Sequence, residues 1–326
     1  LKIIKADLGM SNFKASVSMI TFNHEKFIAE AIESIMSQQT SFEFELVIGD
    51  DGSTDNTRTI CEQYQKQYGN KIKLIFNEKN IGSVNNFLQN IYACKGEFIA
   101  ICDGDDFWTD NSKLQKQVSF LESHTDFSFC FTNVRSVDVN GKQIKSFTQI
   151  YNEDTFTHES YVAKVTPPTV TTTFRKNLLP RVFPNEFKTL PNTDMFLKAL
   201  LSEKGKVYFE DVVTASYRIN NAGVYSGLNS FKKLEDKIKA YNIMYSYFKN
   251  KAVRKNLRDA IASTNIKLML IAARHLEIVK FFKYSYYIVK DSLATGRLPY
   301  STLKNSLQEK QRKKKILITQ QQTIKQ

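Results

Sequence analysis

The chain has 326 residues, 46 Lys+Arg against 33 Asp+Glu for a formal net charge of +13, and 42% hydrophobic residues; a wholly disordered chain is excluded, and two domains are affordable. Cut after Gly227, the charge separates: residues 1–227 carry 24 basic and 27 acidic side chains, net −3, and residues 228–326 carry 22 and 6, net +16. Cys61, Cys94, Cys102 and Cys130 lack paired spacing, so they read as reduced core thiols of a cytoplasmic protein, not a disulfide frame or zinc site.

The N-terminal LKIIKADLGMSNF has neither the apolar stretch nor the cleavage site of a secretory signal, and no run of 18 apolar residues occurs, so neither export by that route nor a membrane span is predicted. From Ala15 to Val134 short β-rich runs alternate with helical ones, the pattern of a βαβ sheet. Ser16–Thr21 is the first strand, followed by a helix around Lys26–Ser37 with Phe27, Ile28, Ala31, Ile32, Ile35 and Met36 on one face. Phe44–Gly49 is the second, ending in Asp50-Asp51-Gly52-Ser53-Thr54-Asp55, where Gly52 permits a turn and a Ser, Thr or Asp caps a helix running to Tyr68. Strand Ile72–Phe76, helix Ser83–Ala93 and strand Glu97–Cys102 follow, and the last ends in Asp103-Gly104-Asp105-Asp106. A helix at 112–123 and a strand at Phe127–Asn133 close the unit. Next, Asn140-Gly141 marks a hairpin, then come a strand at Thr171–Phe174, a helix at Asp194–Lys204 and short strands near Val207–Phe209 and Val213–Arg218. From Phe231 only helical periodicity remains, Lys interleaved with aromatics, and the end from Glu309 reads as frayed.

In an open α/β sheet, ligands bind beyond the carboxyl ends of the strands. Three polar clusters stand at such ends: Thr21-Phe22-Asn23-His24, Asp50-Asp51 and Asp103-Gly104-Asp105-Asp106. With the first strand lying between the second and fourth, all three converge on one pocket. Each alone is equally a helix cap, but three together make a site. A carboxylate-walled pocket takes a phosphate only through a cation, and hard oxygen ligands select Mg²⁺ or Mn²⁺.

The series VSMITFNHEKFIAEAIESIMSQ, LVIGDDGSTDNT and FIAICDGDDFW resembles glycosyltransferase family 2, strongly over about residues 14–135 and fading to 227. The resemblance implies an inverting, metal-dependent, nucleotide-sugar enzyme with the GT-A fold, a Rossmann-like, mostly parallel mixed α/β sheet with helices on both faces, here followed by a helical C-terminal region. It implies that Thr21, Phe22 and Asn23 line the base site with His24 beside them, Asp51 meets base or ribose, Asp103 (with Gly104) meets the ribose, and Asp105 holds Mn²⁺ or Mg²⁺ bridging the diphosphate. Asp50, Asp106 and Trp108 are supporting, Trp108 being equally readable as a core aromatic. The catalytic base falls on Asp194, ahead of an apolar helix, with Asp211 the fallback, read in a turn. Thr169–Arg175 borders the acceptor site. Asn220 stands where relatives have a histidine; its carbonyl could still ligate the metal, while Arg218 could neutralise diphosphate or form a strand-face ion pair.

The implied partners are a nucleotide sugar, UDP-linked by family habit, and a saccharide or lipid-linked saccharide acceptor in surface polysaccharide synthesis. The domains are read as 1–227, catalytic, and 228–326, basic and helical. The latter reads as a peripheral contact with the cytoplasmic face of a membrane, as a homodimer interface, or as a bundle packed on the catalytic domain; no nucleic-acid motif accompanies the charge. The rivals are a sugar nucleotidyltransferase, which lacks its Gly-rich loop here, and a non-catalytic nucleotide-sugar-binding subunit; GxGxxG, and with it a dinucleotide oxidoreductase, is absent.

Overall fold

A computed structural model describes residues 13–147, 150–190, 193–220 and 227–295. The elements run β1 (Ala15–Thr21), α1 (Ile28–Met36), β2 (Phe44–Asp50), α2 (Thr57–Tyr68), β3 (Ile72–Phe76), α3 (Ser83–Ala93), β4 (Phe98–Ile101), β5 (Phe107–Trp108), α4 (Lys113–Ser123), β6 (Phe127–Val137) and β7 (Gln143–Phe147). They continue with β8 (Thr155–Phe156), α5 (His158–Tyr161), β9 (Thr173–Arg175), α6 (Thr193–Ser202), β10 (Lys206–Arg218), α7 (Ser230–Tyr247), α8 (Lys251–Arg274) and α9 (Ile278–Thr295). The frayed end read from Glu309 lies outside the described residues.

One mixed sheet has the order β3-β2-β1-β4-β9-β6-β10-β5, with β7 on β6 and β8 on β10. The four strands β3-β2-β1-β4 are parallel. β2 is buried along its whole length and β1 nearly so, as central parallel strands covered on both faces must be. On one side α1 buries Ile28, Ala31, Ile32 and Ile35, a helical stripe, against the core of Val17, Met19, Leu46, Ile48 and Phe98. α3 instead buries two amides. Asn90 Nδ2 donates to Ser18 Oγ (2.8 Å), Met19 O (3.1 Å) and Val47 O (3.0 Å), and Asn86 Nδ2 to Gly49 O (2.7 Å), pinning the helix across β1 and β2.

Beyond β4 the simple alternation ends. β9 inserts antiparallel between β4 and β6, preceded by a 3₁₀ turn at Thr169–Thr171, so the strand read at Thr171–Phe174 starts two residues later. The two short strands read at 207–209 and 213–218 are one strand, β10, whose register slips between Glu210 and Val213 and again before Ala215, letting it continue past the charged pair Glu210-Asp211. The Asn140-Gly141 hairpin joins β6 to β7, with Gly141 at φ +78° and Asp138 N donating to Lys142 O. All four cysteines are buried thiols, and burial pushes those of Cys61, Cys94 and Cys130 up to about 12.

The chain divides into two compact units. The first holds the sheet: residues up to Thr157, Pro167–Pro184 and Leu200–Asn220. The second takes His158–Thr166 and Asn185–Ala199, both from ahead of Gly227, together with helices α7 to α9. In the second unit Tyr241, Met244, Phe248, Val253 and Leu257 are buried, and Phe248 packs edge-on against His158 and Phe196. No described helix is long and apolar enough to cross a membrane.

Candidate functional site

β1 lies between β2 and β4, and Thr21 pairs with Asp50, so the three polar clusters emerge side by side. Backbone bonds tie them: Asp51 N donates to Thr21 O and Gly104 N to Ile20 O, both at 2.9 Å. Asn23 adopts φ 55°, a conformation asparagine tolerates, which lets its amide donate to Ser53 Oγ (2.9 Å) while its Oδ1 accepts from Thr54 N (2.8 Å). His24 N donates to Thr57 Oγ1 (2.8 Å) and Glu25 N to Asp55 Oδ2 (3.1 Å). The segment Ser53–Thr57, read from sequence as a helix cap, therefore also fixes the first loop. Asn56, the N-cap residue of α2, makes no side-chain cap bond; Asp55 Oδ1 instead accepts from the first helical amide, Thr57 N, at 3.0 Å.

The adjacent acids Asp50 and Asp51 have different duties. Asp50 is fully buried and accepts from Arg58 Nε (2.6 Å) and from Ser53 N (3.1 Å) and its hydroxyl, with Arg58 also bonding Asn77 O: a supporting carboxylate that closes the loop. Asp51 accepts from Ile81 N at 2.8 Å, beside Gly52, where φ is +78° and a Cβ would come within 2.6 Å of Asn80 N.

In the acidic turn, a Cβ on Gly104 would stand 2.8 Å from Thr21 Oγ1 and 2.9 Å from Ile28 Cδ1, so glycine is what allows this turn against the first loop. Asp106 is buried and accepts from Arg218 N (2.8 Å); burial, then the neighbouring Asp105 charge, pushes its carboxyl well above the usual range. Asp105 remains partly exposed. Its Oδ2 accepts from Asn220 Nδ2 (3.0 Å) and lies 4.0 Å from His24 Nε2. Asn220 therefore turns its amino end to this carboxylate, and an imidazole comes from the first loop. Thr21 Oγ1 and His24 Nδ1 are buried without a hydrogen-bond partner among the described residues, two polar atoms available to a ligand. Phe22 is 39% exposed at the mouth of the same loop.

Arg218 is 2% exposed, and protein groups engage its guanidinium throughout: Nε donates to Asp105 O (3.0 Å), Nη1 to Asp138 O (3.1 Å) and Val139 O (3.2 Å), and Nη2 to the Glu30 carboxylate. It sits over the Phe27 ring at 4.7 Å. Glu30 escaped the sequence reading because nothing local joins residues so far apart in the chain. Trp108 is buried, its Nε1 donating to Val170 O at 2.9 Å, and the Lys113 ammonium lies 4.0 Å over its ring. That is the core-aromatic reading of Trp108.

Asp194 belongs to the second unit and heads α6. Its carboxylate is 38% exposed and accepts from the buried Lys198 Nζ at 2.9 Å. That lysine was missed, although its i,i+4 spacing was legible. Asp211 lies within β10, not in a turn, and accepts from Asn133 Nδ2. Among the described residues no three His, Cys, Asp or Glu side chains enclose a metal site. Mg²⁺ and Mn²⁺ need no such cage, since one or two carboxylates plus substrate phosphates hold them, and Asp105 fits that mode.

The sequence model of glycosyl transferase family 2 matches residues 16–183, spanning β1 to β9 and every loop just described. The chain belongs to glycosyl transferase family 2. Uncharacterized protein Rv1520 of Mycobacterium tuberculosis is 39% identical over 132 residues, 40% of this chain and only 38% of the mycobacterial protein's length. The putative teichuronic acid biosynthesis glycosyltransferase TuaG of Bacillus subtilis is 26% identical over 219 residues, covering 67% of this family 2 chain and 84% of TuaG. Among solved structures, the mannosyltransferase PcManGT of Pyrobaculum calidifontis, in complex with GDP-Man and Mn²⁺, superimposes with TM-score 0.61 at 15% identity over 90% of this chain and 79% of that one. S. aureus TarS 1–349 with UDP-GlcNAc gives 0.55 at 19% over 87% and 93%. At such identities the likeness shows the GT-A fold alone.

Proposed function

We propose that this family 2 member transfers a sugar, with inversion, from a nucleoside-diphosphate sugar to a hydroxyl of a saccharide or lipid-linked saccharide in surface polysaccharide synthesis. The observation that carries the reading is the convergence of the loops after β1, β2 and β4, where Thr21 Oγ1 and His24 Nδ1 have no hydrogen-bond partner among the described residues and His24 Nε2 lies 4.0 Å from the partly exposed Asp105 carboxylate. Phe22 offers a π face to the base, Asp51 and Asp103 accept from base or ribose, and Asp105 is the metal ligand, steadied by Asn220 and faced by His24. Arg218 we assign to holding the acidic turn. Asp105 would hold a divalent ion, which when bound would supply charge stabilisation for the departing diphosphate. Asp194 takes the proton of the acceptor hydroxyl as its oxygen bonds to the anomeric carbon and the bond to the diphosphate breaks.

UDP is our first choice of nucleotide; TarS is named with UDP-GlcNAc and PcManGT with GDP-Man, so both belong in the test. The protein is melted with UDP, GDP and their sugars, with and without Mn²⁺. Stabilisation by one nucleotide series, lost in Asp105→Asn, is the expected result, and its magnitude follows ligand affinity. No stabilisation by any nucleotide, with or without metal, refutes the reading. Asp194→Asn distinguishes enzyme from binding subunit: transfer is lost and nucleotide affinity kept.

A further inference from the structure

We propose that one face of α9 docks on an anionic lipid bilayer surface. The helix already buries Tyr284 and Ile288, with Tyr284 donating to Glu235 Oε1 of α7 at 2.6 Å and its ring lying over Phe231. The opposite face carries Val279, Phe282, Tyr286, Val289 and Leu293, all exposed, Val279 at 84% and Leu293 at 82%. With Ile278 they form an arc about 100° wide at 3.6 residues per turn. Lys283 and Lys290 fall along one edge of this arc, while Glu277 and Asp291 fall on the other side of the helix. Lys283 bonds Glu235 at 3.1 Å but remains 48% exposed, and such exposed pairs hold an ammonium weakly.

The chemistry of the face selects its occupant. A second copy of α9 would find the right 3–4 spacing but only two heptads of it, short of the three to four a coiled coil sustains. It would also find Ser285 and Ser292, not acids, where partners for Lys283 and Lys290 should stand. A bilayer surface matches what is present: aliphatic and aromatic side chains to enter the acyl boundary, tyrosine tips for the headgroup level, and lysines at the edge that reach anionic lipid. The stretch 228–326, with 22 basic and 6 acidic residues, carries the complementary charge. No described helix is fit to span, so α9 lies on the surface.

The full chain is sedimented with vesicles of phosphatidylcholine alone or with about a third phosphatidylglycerol, a composition that sets an anionic surface potential. Binding to the anionic vesicles, weakening with salt, is the expected result. Lys283→Gln with Lys290→Gln lowers the partition by about 30-fold, the factor for two near-surface lysines. Val279→Ser with Phe282→Ser and Val289→Ser abolishes it, with an unchanged circular-dichroism melt showing intact folding. Absence of binding by the wild type overturns the proposal. So does wild-type binding by both variants, because another segment then makes the contact. A wild-type dimer in sedimentation velocity that Phe282→Ser dissociates, with no vesicle binding, assigns the face to a second copy instead.

Discussion

Arg218→Lys separates a residue that holds the acidic turn from one that touches the donor. The guanidinium caps three carbonyls, of Asp105, Asp138 and Val139, and pairs with Glu30, at 2% exposure. A lysine ammonium is a point donor that cannot fork to these partners. It keeps Glu30 or one carbonyl; Asp138 O still accepts from Gly141 N (3.1 Å) and Val139 is 49% exposed, so Asp105 O is the carbonyl that loses its donor. An unsatisfied group costs about 1–3 kcal/mol, which is the expected loss. The Glu30 pair adds little because that carboxylate is 51% exposed. Urea unfolding measures the loss, and calorimetric titration with the nucleotide measures the consequence for the site. A variant within about 1 kcal/mol of wild type that binds nucleotide tenfold more weakly refutes the clamp and makes Arg218 a donor contact.

Gly104→Ala forces a Cβ to within 2.8 Å of Thr21 Oγ1 and 2.9 Å of Ile28 Cδ1; overpacking of this kind costs about 1–3 kcal/mol, read as a lower melting temperature with weaker nucleotide binding, and an unchanged melt refutes it. Burial lowers Lys113 to about 8 from 10.5. Between those values the unfolded chain holds the proton and the folded one does not, so its penalty is full below pH 8 and stability rises towards pH 10.5 by up to roughly 3 kcal/mol. Lys113→Met abolishes that rise, and an unaltered difference in unfolding free energy between the two ends of the window contradicts it. Asp194→Asn keeps an oxygen for Lys198 and lowers transfer by at least ~100-fold at unchanged melting temperature, whereas Asp194→Ala also removes the 2.9 Å bond to the Lys198 ammonium and melts earlier; normal turnover in the Asn variant removes Asp194 from the reaction.

The first half of the sheet was legible because its strands are central and parallel, so each is a near-continuous apolar run bounded by a turn and followed by a helix with its own stripe. β3 and α3 have the bounds read from sequence, β1 and β2 differ by one residue at an end, and β4 is one residue shorter at each end. Legibility fails where tertiary pairing overrides local pattern. Thr173–Arg175 becomes a strand by fitting antiparallel between β4 and β6, and Glu210-Asp211 stays in a strand because the ladder bulges and Asn133 engages Asp211. Within the site, residue types and strand ends were readable, but the split of duties between Asp50 and Asp51 was not, since it depends on Arg58 reaching back from α2. The pairing of Arg218 with Glu30 joins residues from opposite ends of the first unit's sequence and has no local signature.

The site has a frame and a chemistry that rest on different bonds. Its loops are fixed by backbone bonds, Asp51 N to Thr21 O and Gly104 N to Ile20 O, which continue the β1–β2 and β1–β4 ladders past their ends. Neither bond uses the side chain of Asp105, which is therefore carried by the sheet without holding it together, whereas the Asp51 carboxylate also ties its loop to Ile81 N. Loss of Asp105's charge should accordingly leave the fold intact and remove ligand binding, whereas Gly104 and Arg218, which touch no ligand in this scheme, should cost stability first and binding as a result. The same logic bears on Asn220. An imidazole there would place a second titratable group within reach of an oxygen that His24 already faces; the amide gives Asp105 a fixed donor at 3.0 Å and leaves His24 as the imidazole at the site.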